Sequence, residues 1–196
     1  MNEEINLLSD NERIERIADH YKAIIELLGE DTSREGLLKT PMRAAKAMWY
    51  ITSGYRNDAR ATLSQAMFEH EGSKIVIIRD IEFYSMCEHH ILPFFGHMSI
   101  AYVPGNKIVG LSKLARTVDI CARKLQVQER LTTEVAEAVS ETLGAKGVLV
   151  ICEAEHLCMK MRGVEKQLSI TETVDYTGVF KNDSSLRQET LQTLKR

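Results

Sequence analysis

Cys87-Glu88-His89-His90 places a thiol, a carboxylate and two imidazoles in consecutive positions. A second run, Glu155-His156-Leu157-Cys158, offers the same donor types further along the chain. Each run ends a β-branched, aromatic-rich stretch that reads as a strand, 74–87 and 148–158. Side chains alternate along a strand, so His156 and Cys158 are expected on one face. If the two strand ends meet, Cys87, Cys158 and one or two histidines converge, and thiolate with imidazole is zinc chemistry. A ligand set of Cys87, His90 and Cys158 leaves a fourth position for water, whose pKa an open zinc site brings to about 7. His89 and His156 then stand nearby as unligated imidazoles suited to proton transfer. The plainer reading is two buried thiols, two polar strand ends, and spare histidines that only make hydrogen bonds. Cys121 and Cys152 have no polar company at that spacing and read as core.

Gly110-Leu111-Ser112-Lys113-Leu114-Ala115-Arg116 opens a helix. Helix N-termini present free N–H groups and partial positive charge, which favour anions. Lys113 and Arg116 oppose that macrodipole, and a resident phosphate would account for them; Ser112 either caps the helix or joins the anion. The alternative is an ordinary solvated helix start. Arg43 and Lys46 share one helix face at i, i+3. With Arg162, four residues past Cys158, they are further cations for the same anion or else solvated surface charges. No P-loop or G-x-G-x-x-G is present. In Gln126-Val127-Gln128-Glu129-Arg130, the Glu129 carboxylate can accept two parallel hydrogen bonds. That matches the N1–H and exocyclic amine of guanine and rejects adenine, whose N1 accepts. Glu129 also suits the N-terminus of the helix that follows it.

The elements that must position these residues follow from periodicity. Ile14, Ile17, Ala18, Tyr21, Ile24, Ile25 and Leu28 mark a first helix stopped by Gly29. Thr40-Pro41 reads as an N-cap and N1 proline of a second helix ending near Gly54. Residues 55–73 are mixed. Strands are expected over 74–87, 96–104, 148–158 and 166–176, with a turn at Gly105-Asn106. Apolar stripes Leu111–Leu125 and Leu131–Leu143, the latter closed by Gly144, form two consecutive helices between the strand pairs. Residues 180–196 read as a polar helical tail. The order β-β-α-α-β-β implies an α+β fold with an antiparallel sheet and helices on one face. The division is an N-terminal helical region, 1–73, and a catalytic domain, 74–196.

Composition sets the outer limits. The chain has 196 residues, 44% hydrophobic and 27% charged, with a formal net charge of −3. That is globular composition without the overall basic footprint of a nucleic-acid binder. No apolar run reaches the ~18 residues of a membrane span. The acidic start Met1-Asn2-Glu3-Glu4 lacks a secretory pattern, so a cytoplasmic protein with reduced thiols is expected.

Taken together, these motifs closely resemble GTP cyclohydrolase I of the zinc-dependent type. The likeness also covers Thr40-Pro41-Met42-Arg43, Arg162-Gly163 and Phe180-Lys181-Asn182-Asp183, and runs from about the first helix to the C-terminus. It implies a tunnelling fold (T-fold, ββααββ) and a toroidal homodecamer with active sites between subunits. It further implies hydrolysis of GTP to formate and 7,8-dihydroneopterin triphosphate, the entry step to folate or pterin biosynthesis. By resemblance, Cys87, His90 and Cys158 hold Zn2+, and His156 and His89 are acid/base residues. Ser112, Lys113, Arg116, Arg162 and Arg43 contact the triphosphate, and Glu129 with the Gln128 backbone reads guanine. Two departures stand out. Leu125 takes the place of a proline, and 167–177, with Asp175 and Tyr176, lacks the usual Thr-Ser-rich pattern. Two competing readings use the same motifs. A deazaguanine nitrile reductase of this fold would use a nicotinamide cofactor, a cysteine nucleophile and no zinc. A non-catalytic zinc-stabilised purine-binding module would use four protein ligands.

Overall fold

The computed structural model describes residues 7–72 and 74–194. The acidic start Met1 to Glu4, Ser73 at the expected domain boundary and the last two residues of the expected tail lie outside them. The chain divides into two compact units, Met1–Thr52 and Ser53–Arg196.

The first unit is a pair of packed helices, α1 (Asp10–Leu27) and α2 (Thr40–Ile51). A capping box starts α1. The Ser9 hydroxyl accepts from the Glu12 N–H, and the Glu12 carboxylate accepts from the Ser9 N–H at 2.8 Å. Gly29, with φ +91°, follows its end as the expected left-handed stop. At α2 the cap falls one residue early. Lys39 occupies it without a side-chain bond and Thr40 is already helical. Pro41 stays in the first turn, where its missing N–H costs nothing.

The second unit begins with a 3₁₀ turn (Ser53–Arg56), α3 (Ala59–Ser64) and β1 (Met67–Glu69). Sequence grouped these residues with the N-terminal helices. Here Leu63 is fully buried in the second unit's core, and β1 pairs antiparallel with β4 (Lys107–Val109). The main sheet has the order β5-β2-β3-β6-β7. Its strands are β2 (Val76–Cys87), β3 (Pro93–Val103), β5 (Leu125–Gln126), β6 (Gly147–His156) and β7 (Thr171–Tyr176). All neighbours run antiparallel except the two-residue β5, which lies parallel to the end of β2.

Helices α4 (Leu111–Ala122) and α5 (Gln128–Leu143) cross one face. Their Leu114, Val118, Leu131, Val135 and Val139 bury against Phe83, Phe94, Met98, Ile100, Val148 and Val150. On the other face, Ala101, Val103, Leu149 and Ile151 take the C-terminal helices α7 (Val179–Asn182) and α8 (Ser184–Leu194) through Phe180 and Leu194. Cys121 and Cys152 are core residues, and burial pushes both thiols up to about 12.

A β-bulge decides which way the end of β2 faces. The register shifts between Ile78 and Ile81, with Asp80 at φ +59°. Before it Val76 and Ile78 face the helices; after it Ile81, Phe83 and Cys87 do. One extra residue therefore moves the inward set from even to odd positions and turns Cys87 toward the core.

Candidate active site and metal centre

Three strand ends carry the site. β2 finishes at Cys87, β3 starts at Pro93, and β6 finishes at His156, whose register partner is Phe94. The connection between β2 and β3 is held by its own backbone. Cys87 N–H donates to Leu92 O at 2.8 Å, and Ile91 N–H donates to Cys87 O at 2.8 Å. Ile91 adopts φ +53°, an uncommon conformation for a β-branched residue. The Glu88 N–H donates to Gln126 O at 3.0 Å, tying this loop to β5.

Cys158 arrives by a different route from the one alternation suggests. The strand stops at His156, and Leu157–Lys160 forms one helical turn, α6. That turn, rather than a shared strand face, brings Cys158 back toward Cys87. The donor atoms of Cys87, His90 and Cys158 lie within 4.8 Å of one another. His89 is also close, with its Nδ1 3.9 Å from the Cys87 sulfur. Burial raises the Cys158 pKa, and the adjacent Cys87 thiol adds to the effect, with Arg162 opposing. Two sulfurs and one imidazole nitrogen form a donor set suited to zinc, three in number rather than four among the described residues.

His156 is half-buried and lies flat on Phe94, with ring centroids 4.7 Å apart and planes at 1°. Its Nε2 is 2.7 Å from the side-chain oxygen of Gln128. Burial holds its pKa below the ordinary imidazole value, and the charge of Glu129 partly opposes that. Glu129 itself is exposed in the first turn of α5. The Gln128 side chain, assigned no part by sequence, is buried and bonded on every side. Glu88 and Arg130 were also unassigned, although they stand inside the motifs. Arg130 reaches Glu88 at 2.5 Å, Gln126 Oε1 at 2.7 Å and Leu125 O at 3.0 Å. Their opposite charges within two conspicuous motifs were the available signal.

The cations separate into groups. Arg162 is at the metal end, its Nη1 3.4 Å from His90 Nε2. Ser112, Lys113 and Arg116 are on the first turns of α4, which is capped by Gly110 without a side-chain bond. Lys113 Nζ donates to Gln65 Oε1 at 2.7 Å. Helix α4 runs from that end back to the site end, where the Ala122 carbonyl accepts from Ser85 Oγ at 2.6 Å, two residues before Cys87. At 1.5 Å per residue, about 14 Å of helix separates Lys113 from Ala122. The structure thus gathers Cys87, His89, His90, Glu129, His156, Cys158 and Arg162. It leaves Ser112 and Lys113 at the far end of α4, with Arg116 near the middle of that helix. Arg43 and Lys46 are exposed on α2 of the first unit.

The residues at the two departures also find partners. Leu125 N–H donates to the Tyr55 hydroxyl at 3.0 Å, a bond proline could not make. The Arg187 guanidinium lies 4.9 Å from the Tyr176 ring centre, joining the C-terminal helix to the edge strand.

An α+β sheet that ends in a sulfur–sulfur–imidazole cluster beside a half-buried histidine and a carboxylate defines a class of candidate metal-dependent hydrolases. Comparison with known proteins narrows the class. The family model described as GTP cyclohydrolase I matches residues 17–195. GTP cyclohydrolase 1 of Porphyromonas gingivalis is 53% identical over 96% of this chain and 97% of its own length. The Bacteroides fragilis protein of that name is 52% identical over 93% and 94%. The Campylobacter lari one is 49% identical over 89% and 92%. The chain belongs to the GTP cyclohydrolase I family. A solved structure of the archaeosine synthase QueF-Like in the apo form aligns with 55% of this chain and 97% of that one, at 14% identity and a TM-score of 0.44.

Proposed function

We propose that this chain hydrolyses GTP at C8, releasing formate and leaving 7,8-dihydroneopterin triphosphate, with zinc held by Cys87, His90 and Cys158. The observation that carries the reading is the convergence of those three donor atoms beside His156. Zinc held there would supply an activated water at neutral pH.

The chain's own groups do the rest. Glu129 accepts from the guanine N1–H and amine, fixing which edge of the purine faces the histidines. His156 and His89 exchange protons with the purine nitrogens and the ribose as the ring opens and the pterin ring closes. Arg162 holds negative charge near the metal end. Ser112, Lys113 and Arg116 bind triphosphate, with Arg43 as a further contact. Because Ser112 and Lys113 start α4 at the end away from Cys87 in their own chain, we infer that each site takes this cationic group from a neighbouring copy. That makes the enzyme a homo-oligomer with active sites at subunit interfaces, a decamer by family resemblance. Thiol ligands suit a reducing cytoplasm. No helix among the described residues is long and apolar enough to cross a membrane.

The test is incubation with GTP and zinc, followed by assay for formate and for a fluorescent pterin after oxidation. Both products are expected in equal amounts, and neither after chelation or in His156→Ala, which should retain its zinc. Turnover by chelated protein would remove the metal from the mechanism.

A further inference from the structure

We propose that Gln128 is a positioning residue that locks His156 as its Nε2–H tautomer, leaving Nδ1 as the nitrogen that exchanges protons with substrate. The proton-exchange part rests on the hydrolase reading above; the lock rests on geometry alone.

The Gln128 side chain is 2% exposed. Its amide nitrogen lies 2.8 Å from Cys152 O in β6 and 3.0 Å from Thr171 O in β7, with Thr173 Oγ1 at 3.2 Å. Backbone carbonyls only accept, so the NH₂ group must face them. The flipped amide would set oxygen against two oxygens in a buried place. The orientation of the amide is thereby settled, and Oε1 faces His156 Nε2 at 2.7 Å. An amide oxygen also only accepts, so the ring nitrogen must donate. A neutral imidazole has one N–H and one lone pair. With the N–H committed to Gln128, the lone pair is on Nδ1. Phe94, parallel beneath the ring, opposes rotation that would exchange the two nitrogens.

The same bonds show why the residue is glutamine. Ionised glutamate would face two carbonyl oxygens, and leucine would strand both carbonyls and the ring N–H. Supporting the amide, Thr132 Oγ1 donates to Gln128 O at 2.8 Å and lies 2.7 Å from Thr173 Oγ1.

The experiment uses the zinc-loaded full-length protein labelled with ¹⁵N-histidine and read by solid-state ¹⁵N spectroscopy, with His156 assigned by its loss in His156→Ala. The wild-type ring should be protonated at Nε2 and bare at Nδ1, and Gln128→Met should show a mixture. In steady-state assays Gln128→Met should lose on the order of 10²-fold in kcat, the scale of general acid–base catalysis, with little change in KM. Gln128→Glu, whose protonated carboxyl keeps one donor and one acceptor, should recover much of that loss. An Nδ1–H ring in the wild type would overturn the lock. So would a Gln128→Met enzyme with unchanged kcat, or one altered only in KM, which would make Gln128 a substrate contact. Should Gln128→Met not fold, the wild-type spectrum and Gln128→Glu decide. An Nε2–H ring in a protein that releases no formate from GTP would leave the lock standing and sink the reaction assigned above.

Discussion

Glu88, the residue between Cys87 and His89, meets the Arg130 guanidinium at 2.5 Å, and so fastens the loop of the candidate metal donors to the first turn of α5. Arg130 holds Gln126 and the Leu125 carbonyl with the same side chain. The pair is too exposed to matter much for global stability. Its importance is local, because it fixes the loop that aims Cys87 and His90. Arg130→Met is therefore expected to weaken zinc binding by roughly 10-fold, the low end for residues supporting metal ligands, with little change in Tm. Competition against a fluorescent zinc chelator measures it, and unchanged affinity would show that the loop holds its shape unaided.

The cation is expected to depend on a sulfur outside the regular sheet. Cys158→Ser leaves the fold intact, since the side chain is only partly buried at the start of a four-residue turn. It removes one of three donors, so bound zinc should fall from one equivalent per chain to a small fraction, with loss of formate release. Metal analysis after gel filtration reads the first and the pterin assay the second. Full zinc content in this variant would mean that another group completes the site.

The proposed division of the site between copies gives a sharper expectation. Lys113→Ala and His156→Ala should each be nearly inactive alone. If one copy supplies Lys113 and its neighbour His156, co-assembled variants recover sites that are intact in both parts. Random assembly at equal amounts gives about a quarter of wild-type activity, from the chance that each of two copies contributes its intact part. Co-expression with two affinity tags isolates the mixed oligomers. No recovery would place both residues in a site within one chain.

Glu129 offers a test of base recognition. Replacing its carboxylate with an amide keeps size but turns one of two acceptors into a donor, which faces a guanine N–H. Glu129→Gln should lower kcat/KM for GTP by roughly 10²-fold, about the cost of leaving buried donors unpaired. Inosine triphosphate, which lacks the exocyclic amine, should be affected less. Equal kinetics for wild type and variant would remove Glu129 from the purine.

Much of this was legible in the sequence for a physical reason. Candidate metal donors and clustered cations come in short runs, and β-branched runs alternate with helical stripes, so motif and element can be read locally. What was not legible depended on contacts far apart in sequence. Cys158 reads as strand because nothing in Glu155-His156-Leu157-Cys158 breaks one; the turn at Leu157 appears only in three dimensions. The bulge at Asp80, which sets the facing of Cys87, carries no glycine to announce it. The part played by the Gln128 side chain is not legible locally either, since it requires the carbonyls of Cys152 and Thr171. The short pairing of β1 with β4 likewise drew 53–73 into the second unit.

Gly96 links the packing of the sheet to the placement of His156. It pairs with Ala154 in β6, two positions along the strand from the Phe94–His156 pair. A Cβ at Gly96 would run into the Glu153 carbonyl oxygen and crowd the Ala154 backbone, both main-chain atoms with no rotamer to escape into. The strands would have to separate near the end of β6 that carries His156. Gly96→Ala should thus cost about 1–3 kcal/mol, as overpacking of a filled interior does. Because the strain falls beside Phe94, kcat should drop more than the lost stability alone explains. Thermal unfolding, together with kcat measured well below Tm, separates the two effects. A variant with wild-type stability would show that β3 and β6 can part here without strain, and one with normal kcat would show that His156 is held by Gln128 and Phe94 independently of the strand spacing at Gly96.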